Sequence, residues 1–214
     1  MKNFAKVREI RTLYSNYYSN NYLPGSWLPI RPSENDIIHS IARANGKDLS
    51  HLTDIQKNMS AYASVDTKNK IVGQIGKFAV CSAFGFSPEY MFGKKRAGFD
   101  FFESGCKIVV KSTGYMRGEV MLLDEKAVLS EGAPDIYVYV VVDIDIEDVY
   151  SIMAHVAGWT TRAAIKEASL YAEDMKGSPM FMPLDRLKEP RSLEGYLSLM
   201  GMVRAKGGGG GESQ

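Results

Sequence analysis

The run Ile136-Tyr137-Val138-Tyr139-Val140-Val141-Val142, preceded by Asp135, contains no charged side chain. Its β-branched and aromatic residues favour extended backbone. A strand wetted on one face alternates polar with apolar residues, whereas this one is apolar at almost every position, as a strand covered on both faces must be. Residues 135–142 are therefore expected to lie inside a sheet with further layers on either side. The fold class that follows is α/β, with a mixed central sheet flanked by helices. A chain of 214 residues is long enough for one such domain and a real core.

A second stretch, Gly98 to Thr113, has two apolar runs around Glu103-Ser104-Gly105-Cys106. A short polar break with a glycine between apolar runs predicts a tight hairpin. Asp100 falls in its first strand and Lys111 near the end of its second. Burying a charge costs several kcal/mol unless a partner compensates it. Two readings are open: edge-strand charges facing water, or an acid that binds a metal beside a lysine that holds water or phosphate.

The formal net charge of +1 gives no global attraction to nucleic acid, so an electrostatic partner has to be served by local patches. Cys81 and Cys106, the only cysteines, sit among apolar residues and are expected to be reduced. The first residues lack the apolar run of a signal peptide, and no stretch of about 18 apolar residues is present to span a bilayer. A cytoplasmic setting is expected, with no membrane partner.

Residues 1–65 read as an N-terminal helical, aromatic arm, 66–205 as the core and 206–214 as a flexible glycine-rich tail. In the arm, Phe4, Val7, Ile10, Tyr14 and Tyr17 recur at helical spacing beside a basic face. Tyr17, Tyr18 and neighbouring aromatics then crowd an Asn-rich stretch. Such residues either stack on bases or pack on the domain or a second subunit. Ser33 with Asp36 has the spacing of a capping box. Asp66 or Thr67 is expected to start a helix running to about Phe84, with Gln74 and Lys77 on one stripe. Gly73 and Gly76 inside it predict close approach to a neighbour. The loop Lys94-Lys95-Arg96 is a local basic patch. Further strands are expected over Glu119–Leu123, Val149–Ala157 and Met180–Pro183, with Gly158-Trp159-Thr160-Thr161 capping a helix over Arg162–Ala168 and a last helix covering the sheet.

Helix, hairpin, strand, buried strand, strand, helix is an order that resembles the PD-(D/E)XK nuclease superfamily, the restriction-endonuclease-like fold, over roughly residues 68–190. It is most similar to small phage and archaeal members. The residues carrying the likeness are Gly73-Gln74-Ile75-Gly76-Lys77 in the helix, Gly98-Phe99-Asp100 in the first strand and Val109-Val110-Lys111-Ser112-Thr113 in the second. The likeness implies a restriction-endonuclease-like core, a phage origin, DNA as the favoured partner and, if the chain is active, Mg²⁺. It assigns Asp100 to the metal and Lys111 to the attacking water, with Lys77, Gln74 and Ser112 beside them.

The departures from that pattern change the chemistry of the site. In that family a strand acid two residues before the lysine and a helix acid join the aspartate on Mg²⁺. Here those places hold Val109 and Lys77. Magnesium is bound through hard oxygen ligands, and an ammonium ~5 Å from a dication in a half-buried site opposes it by several kcal/mol. A cation at Lys77 offers the alternative of neutralising Asp100 directly, turning a metal centre into a salt bridge. Glu119 or Asp124 substitutes for the missing acids only if its strand lies beside the hairpin. Three functions follow as candidates. One is a nuclease-fold protein that no longer cuts and binds nucleic acid or a protein assembly through Lys94, Lys95, Arg96, Lys111 and the arm, which also offers a route to homo-oligomers. Another is an active Mg²⁺-dependent endonuclease with a rearranged site. The last is an unrelated α/β domain.

Overall fold

The computed structural model describes residues 27–33, 35–37, 39–40, 65–87, 98–114, 120–143, 152–168, 170–171 and 179–207. Among these, a short strand β1 (Leu28–Ile30) precedes a long helix α1 (Val65–Phe84). The hairpin β2 (Phe101–Glu103) and β3 (Cys106–Thr113) follows, then β4 (Val120–Asp124) and α2 (Glu125–Leu129). Next come β5 (Ile136–Asp143), β6 (Met153–Thr161), α3 (Arg162–Ala168), β7 (Leu170–Tyr171), β8 (Pro179–Pro183) and α4 (Ser192–Gly207).

Five strands form the central sheet in the order β1-β6-β5-β3-β2, with β3 and β5 parallel and the other pairs antiparallel. The mixed α/β class read from the sequence is the one observed. β5 sits in the middle and is buried from Ile136 to Val142. Its period of two divides the core. Ile136, Val138, Val140 and Val142 enter one apolar cluster with Ile71, Ile75 and Phe78 of α1 and Leu193 and Leu197 of α4. Tyr137, Tyr139 and Val141 enter a second cluster on the opposite face. That face is covered by a separate antiparallel sheet, β4-β8-β7, through Met121, Leu123, Met180 and Met182. Fully burying a side chain of this size stabilises by about 1.5–3 kcal/mol, so both layers are needed to cover β5.

Several boundaries differ from the sequence reading. The strand expected over Val149–Ala157 begins at Met153 and continues to Thr161, taking in Gly158, Trp159 and Thr160. Pairing with β5 passes from Val140↔Val156 to Tyr139↔Gly158, so Ala157 is an extra residue, a β-bulge. The bulge resets which side chains point where: Ala157 faces the second cluster, while Val156 and Trp159 both enter the first. Of the four residues expected to cap α3, Thr161 does so, its Oγ1 accepting from Ala164 N at 3.2 Å. β1, within the segment read as an arm, joins the sheet edge against β6, and Ile37 reaches the core. Ser33 and Asp36 do form the capping box: Ser33 N donates to Asp36 Oδ2 at 3.0 Å and Asp36 N to Ser33 Oγ at 3.2 Å. α4 runs to Gly207 and so takes in the first two residues expected to belong to the tail. Among the described residues no helix is long and apolar enough to cross a membrane.

Candidate functional site

The hairpin turns on Ser104 (φ 49°) and Gly105 (φ 76°). Two central residues at positive φ match the right-handed twist of the strands they join. This sets the register Phe101↔Ile108 and Glu103↔Cys106. Extending it by one residue places Asp100, immediately before β2, beside Val109. Asp100 N still donates to Ile108 O at 2.8 Å. Its carboxylate has left the ladder and is held at the rim by two donors. Oδ2 accepts from Val110 N at 2.8 Å, and Oδ1 lies 2.7 Å from Lys77 Nζ of α1. Lys77 and Asp100 retain only 25% and 15% of their side-chain exposure. At such burial water screens the pair poorly, and removing one partner strands the other charge.

Gly76 brings α1 close enough for this contact. A Cβ there would lie 2.0 Å from Ser112 Oγ and 2.9 Å from Ser112 Cβ. Only hydrogen fits between the helix and β3. The expectation of close approach therefore holds at Gly76, but not at Gly73, where a Cβ would meet nothing within 4 Å. Ser112 Oγ at this contact is buried without a hydrogen-bond partner, as is Gln74 Oε1 of α1.

The remaining site residues are dispersed. Lys111 and Ser112 are neighbours on β3 and so point to opposite faces. Ser112 lies against Gly76, while Lys111 shares the face of Val109, which packs on the second core cluster. The structure thus brings Lys77 to Asp100 and sets Ser112 against Gly76, while Lys111 stands on the other face of β3. Lys94, Lys95, Arg96, Tyr17, Tyr18 and Glu119 lie outside the described residues. Asp124 is no substitute acid. Its strand belongs to the second sheet, the neighbour of β3 is β5, and Asp124 caps α2 by accepting from Lys126 N at 3.0 Å. A donor missed by sequence reasoning is the backbone amide of Val110; its role follows from hairpin register, which one strand's side-chain pattern does not encode.

These residues do not make a magnesium site. A hard dication takes several oxygen ligands, usually including one or two carboxylates with free lone pairs. Asp100 presents one oxygen to an ammonium and the other to an amide. Val109 adds no donor, and a metal at Oδ1 would have to displace Lys77. No group of three or more His, Cys, Asp or Glu that could hold a metal occurs among the described residues. Neither cysteine offers a ready nucleophile: Cys106 is buried, and burial pushes the Cys81 thiol up to about 12, with the Asp36 charge adding to the effect. No known protein family, curated protein or solved structure matches the chain.

Proposed function

We propose that this chain is a nuclease-like protein that no longer hydrolyses phosphodiesters and works by binding, with DNA the favoured partner and a protein assembly the competing one. The observation that carries this reading is the 2.7 Å contact between Lys77 Nζ and Asp100 Oδ1. On the resemblance drawn from the sequence, the helix position of Lys77 is where a metal-binding acid would stand. Exchanging acid for amine changes the local charge by two units and puts an internal cation where an external one was needed. The pair then has no use for Mg²⁺, and Lys111, on the other face of β3, is a separate cation offered to a phosphate. Binding of this kind neutralises backbone charge directly, so it weakens with salt and is indifferent to chelators.

The test has two parts. Supercoiled plasmid incubated with the protein and Mg²⁺ or Mn²⁺ is expected to stay uncut. Cleavage that disappears in Asp100→Ala would overturn the reading in favour of an active endonuclease with a rearranged site. The double variant Lys77→Glu with Val109→Glu is expected to gain divalent-cation affinity by calorimetry, since two carboxylates then flank Asp100. A double variant that folds and still takes up no ion would mean that these positions do not surround one pocket. DNA binding that survives EDTA, falls with salt and weakens in Lys111→Ala supports DNA as the partner; no binding at low salt moves the reading to a protein assembly.

A further inference from the structure

Two hydroxyls in the second core layer have nothing to bond. Tyr137 of β5 and Thr160 of β6 stand directly opposite each other in the ladder. Tyr137 enters the second cluster, and Thr160 shares that face because its neighbour Trp159 enters the first. Tyr137 is 2% and Thr160 1% exposed, yet neither Tyr137 Oη nor Thr160 Oγ1 has a hydrogen-bond partner. A buried hydroxyl left unpaired gives up its bonds to water and receives none in return. Two of them on adjacent central strands mark a place for a polar guest.

The next pair on the same face supplies a charge. Arg162 N donates to Asp135 O at 2.9 Å, which sets Arg162 opposite Asp135, two residues on from Thr160 and Tyr137. Opposite charges placed across a ladder attract, but here each turns elsewhere. Asp135 is exposed, and its Oδ2 accepts from Lys107 N at 2.8 Å. Arg162 reaches the end of α2, where Nε donates to Val128 O at 2.9 Å and Nη2 to Leu129 O and Ser130 O at 3.2 and 2.7 Å. A guanidinium has five N–H groups, so these three bonds leave both hydrogens of Nη1 unused. All three acceptors are neutral carbonyls, and among the described residues no carboxylate forms a salt bridge with Arg162. Its charge bears on Tyr137 all the same. Burial pushes that phenol up to about 12, with Arg162 partly opposing and Asp135 adding to the rise. At neutral pH Tyr137 is therefore a protonated donor.

From this we infer that Arg162, Tyr137 and Thr160 form a binding site for a small oxyanion, a carboxylate or a phosphate group, with Nη1 supplying the charge and the two hydroxyls donating. Charge-assisted bonds from a planar guanidinium suit both groups. Half-buried Arg162 is the way in, and the hydroxyls behind it are too enclosed to meet a nucleic-acid backbone. Lys77 belongs to α1, which packs on the other face of the sheet, so the inference is independent of the function proposed above.

Inorganic phosphate titrated into the full chain, with sodium chloride holding the ionic strength constant, is expected to shift the amide resonances of Thr160 and Arg162 with half-saturation at ~1–10 mM. Acetate in its place distinguishes the two sources: a tighter response to phosphate assigns a phosphorylated ligand, and a tighter response to acetate a carboxylate. Tyr137→Phe and Thr160→Val each remove a hydroxyl and keep the shape. Each should weaken the response roughly tenfold, because a hydrogen bond to a charged group is lost. In chloride alone both variants should melt no lower than wild type, because an unpaired group is removed rather than a bond. No saturable shift with either anion up to about 100 mM overturns the inference. So does a response that both substitutions leave unchanged. Variants that melt lower than wild type in chloride overturn it too, by showing that the hydroxyls are already satisfied by internal water.

Discussion

At the hairpin rim of the central sheet, Lys77 meets a carboxylate with little water nearby. Where β6 meets α4, Lys188 lies instead over aromatic faces, its Nζ 4.7 Å from the ring centre of Trp159 and 5.4 Å from that of Tyr196. The backbones differ in the same sense. At the hairpin, a charged side chain bonds a main-chain amide beyond the last strand pair. At β6, Trp159 and Lys188 exchange backbone hydrogen bonds at 3.1 and 2.8 Å, and the indole Nε1 donates to Glu189 O and Ser192 Oγ. The β6 side is thus held by packing that tolerates an exposed cation. The hairpin rim is held by a charge that must be matched. A pair of charges is costly to maintain where two apolar residues would serve, which makes the hairpin rim the place to look for function.

The largest effect expected from this contrast lies on the β6 side. Trp159 is almost fully buried, packs 4.8 Å from Tyr196 centre to centre and satisfies two acceptors. Trp159→Ala should cost about 3–5 kcal/mol in urea unfolding. A loss below about 1 kcal/mol would mean that α4 is not fastened through this ring.

Gly76→Ala comes next and probes the hairpin side. The added methyl would overlap Ser112, and forcing α1 off the sheet typically costs 1–3 kcal/mol, offset by roughly 1 kcal/mol of better helix propensity. With a contact this close the upper end of that cost applies, so a net loss of about 2 kcal/mol is expected, together with a weaker Lys77–Asp100 contact. Ser112→Gly removes both atoms in the way, so the double variant should be no less stable than Ser112→Gly alone. If the two losses simply add, the close contact is not the cause.

The two lysines supply the third comparison. Lys77→Met leaves Asp100 with one amide donor and should destabilise by about 1–2 kcal/mol. Lys188→Met, at an exposed site over aromatic rings, should fall within about 0.5–1 kcal/mol of wild type. Equal losses would erase the distinction between the two regions. High salt should narrow the gap only slightly, because the Lys77–Asp100 pair is shielded from ions.

How much of this was legible in the sequence depends on the range of each interaction. β5 and α1 were legible because a central strand and an amphipathic helix announce themselves within one window. So was the hairpin, through Ser104-Gly105. The Lys77–Asp100 pair came into view only through the resemblance, which sets the helix residue beside the strand acid. The extra residue Ala157 was hidden: in a run as apolar as Ala154–Trp159 a shift of face changes no visible pattern. The assignment of β4 to a second sheet was hidden too, because its side chains state only that one face is buried, not against which layer. Nor did position along β3 alone show that Ser112 would meet Gly76 while Lys111 turned away. That depends on which side α1 covers.

The smallest effect separates the two regions by pH. His155 on β6 is buried, opposite Pro29 of β1, with its ring 6.4 Å from Trp27. Burial holds its pKa below the ordinary histidine value, and the Asp143 charge only partly opposes this. Between the two values the unfolded chain binds the proton and the folded chain does not, so stability rises with pH. The contribution is present above about pH 6.5 and is lost as pH falls through the folded value. Urea unfolding at about pH 7.5 and pH 5.5 should therefore show an acid loss that shrinks in His155→Gln. Because β1 is a three-residue edge strand, the change should be seen first in Trp27 fluorescence, measured in a Trp159→Phe background, while hydrogen exchange at Val110 N stays protected. An acid loss of the same size in wild type and His155→Gln would remove His155 as its source. Early exchange at Val110 would move the sensitive rim from β1 to the hairpin.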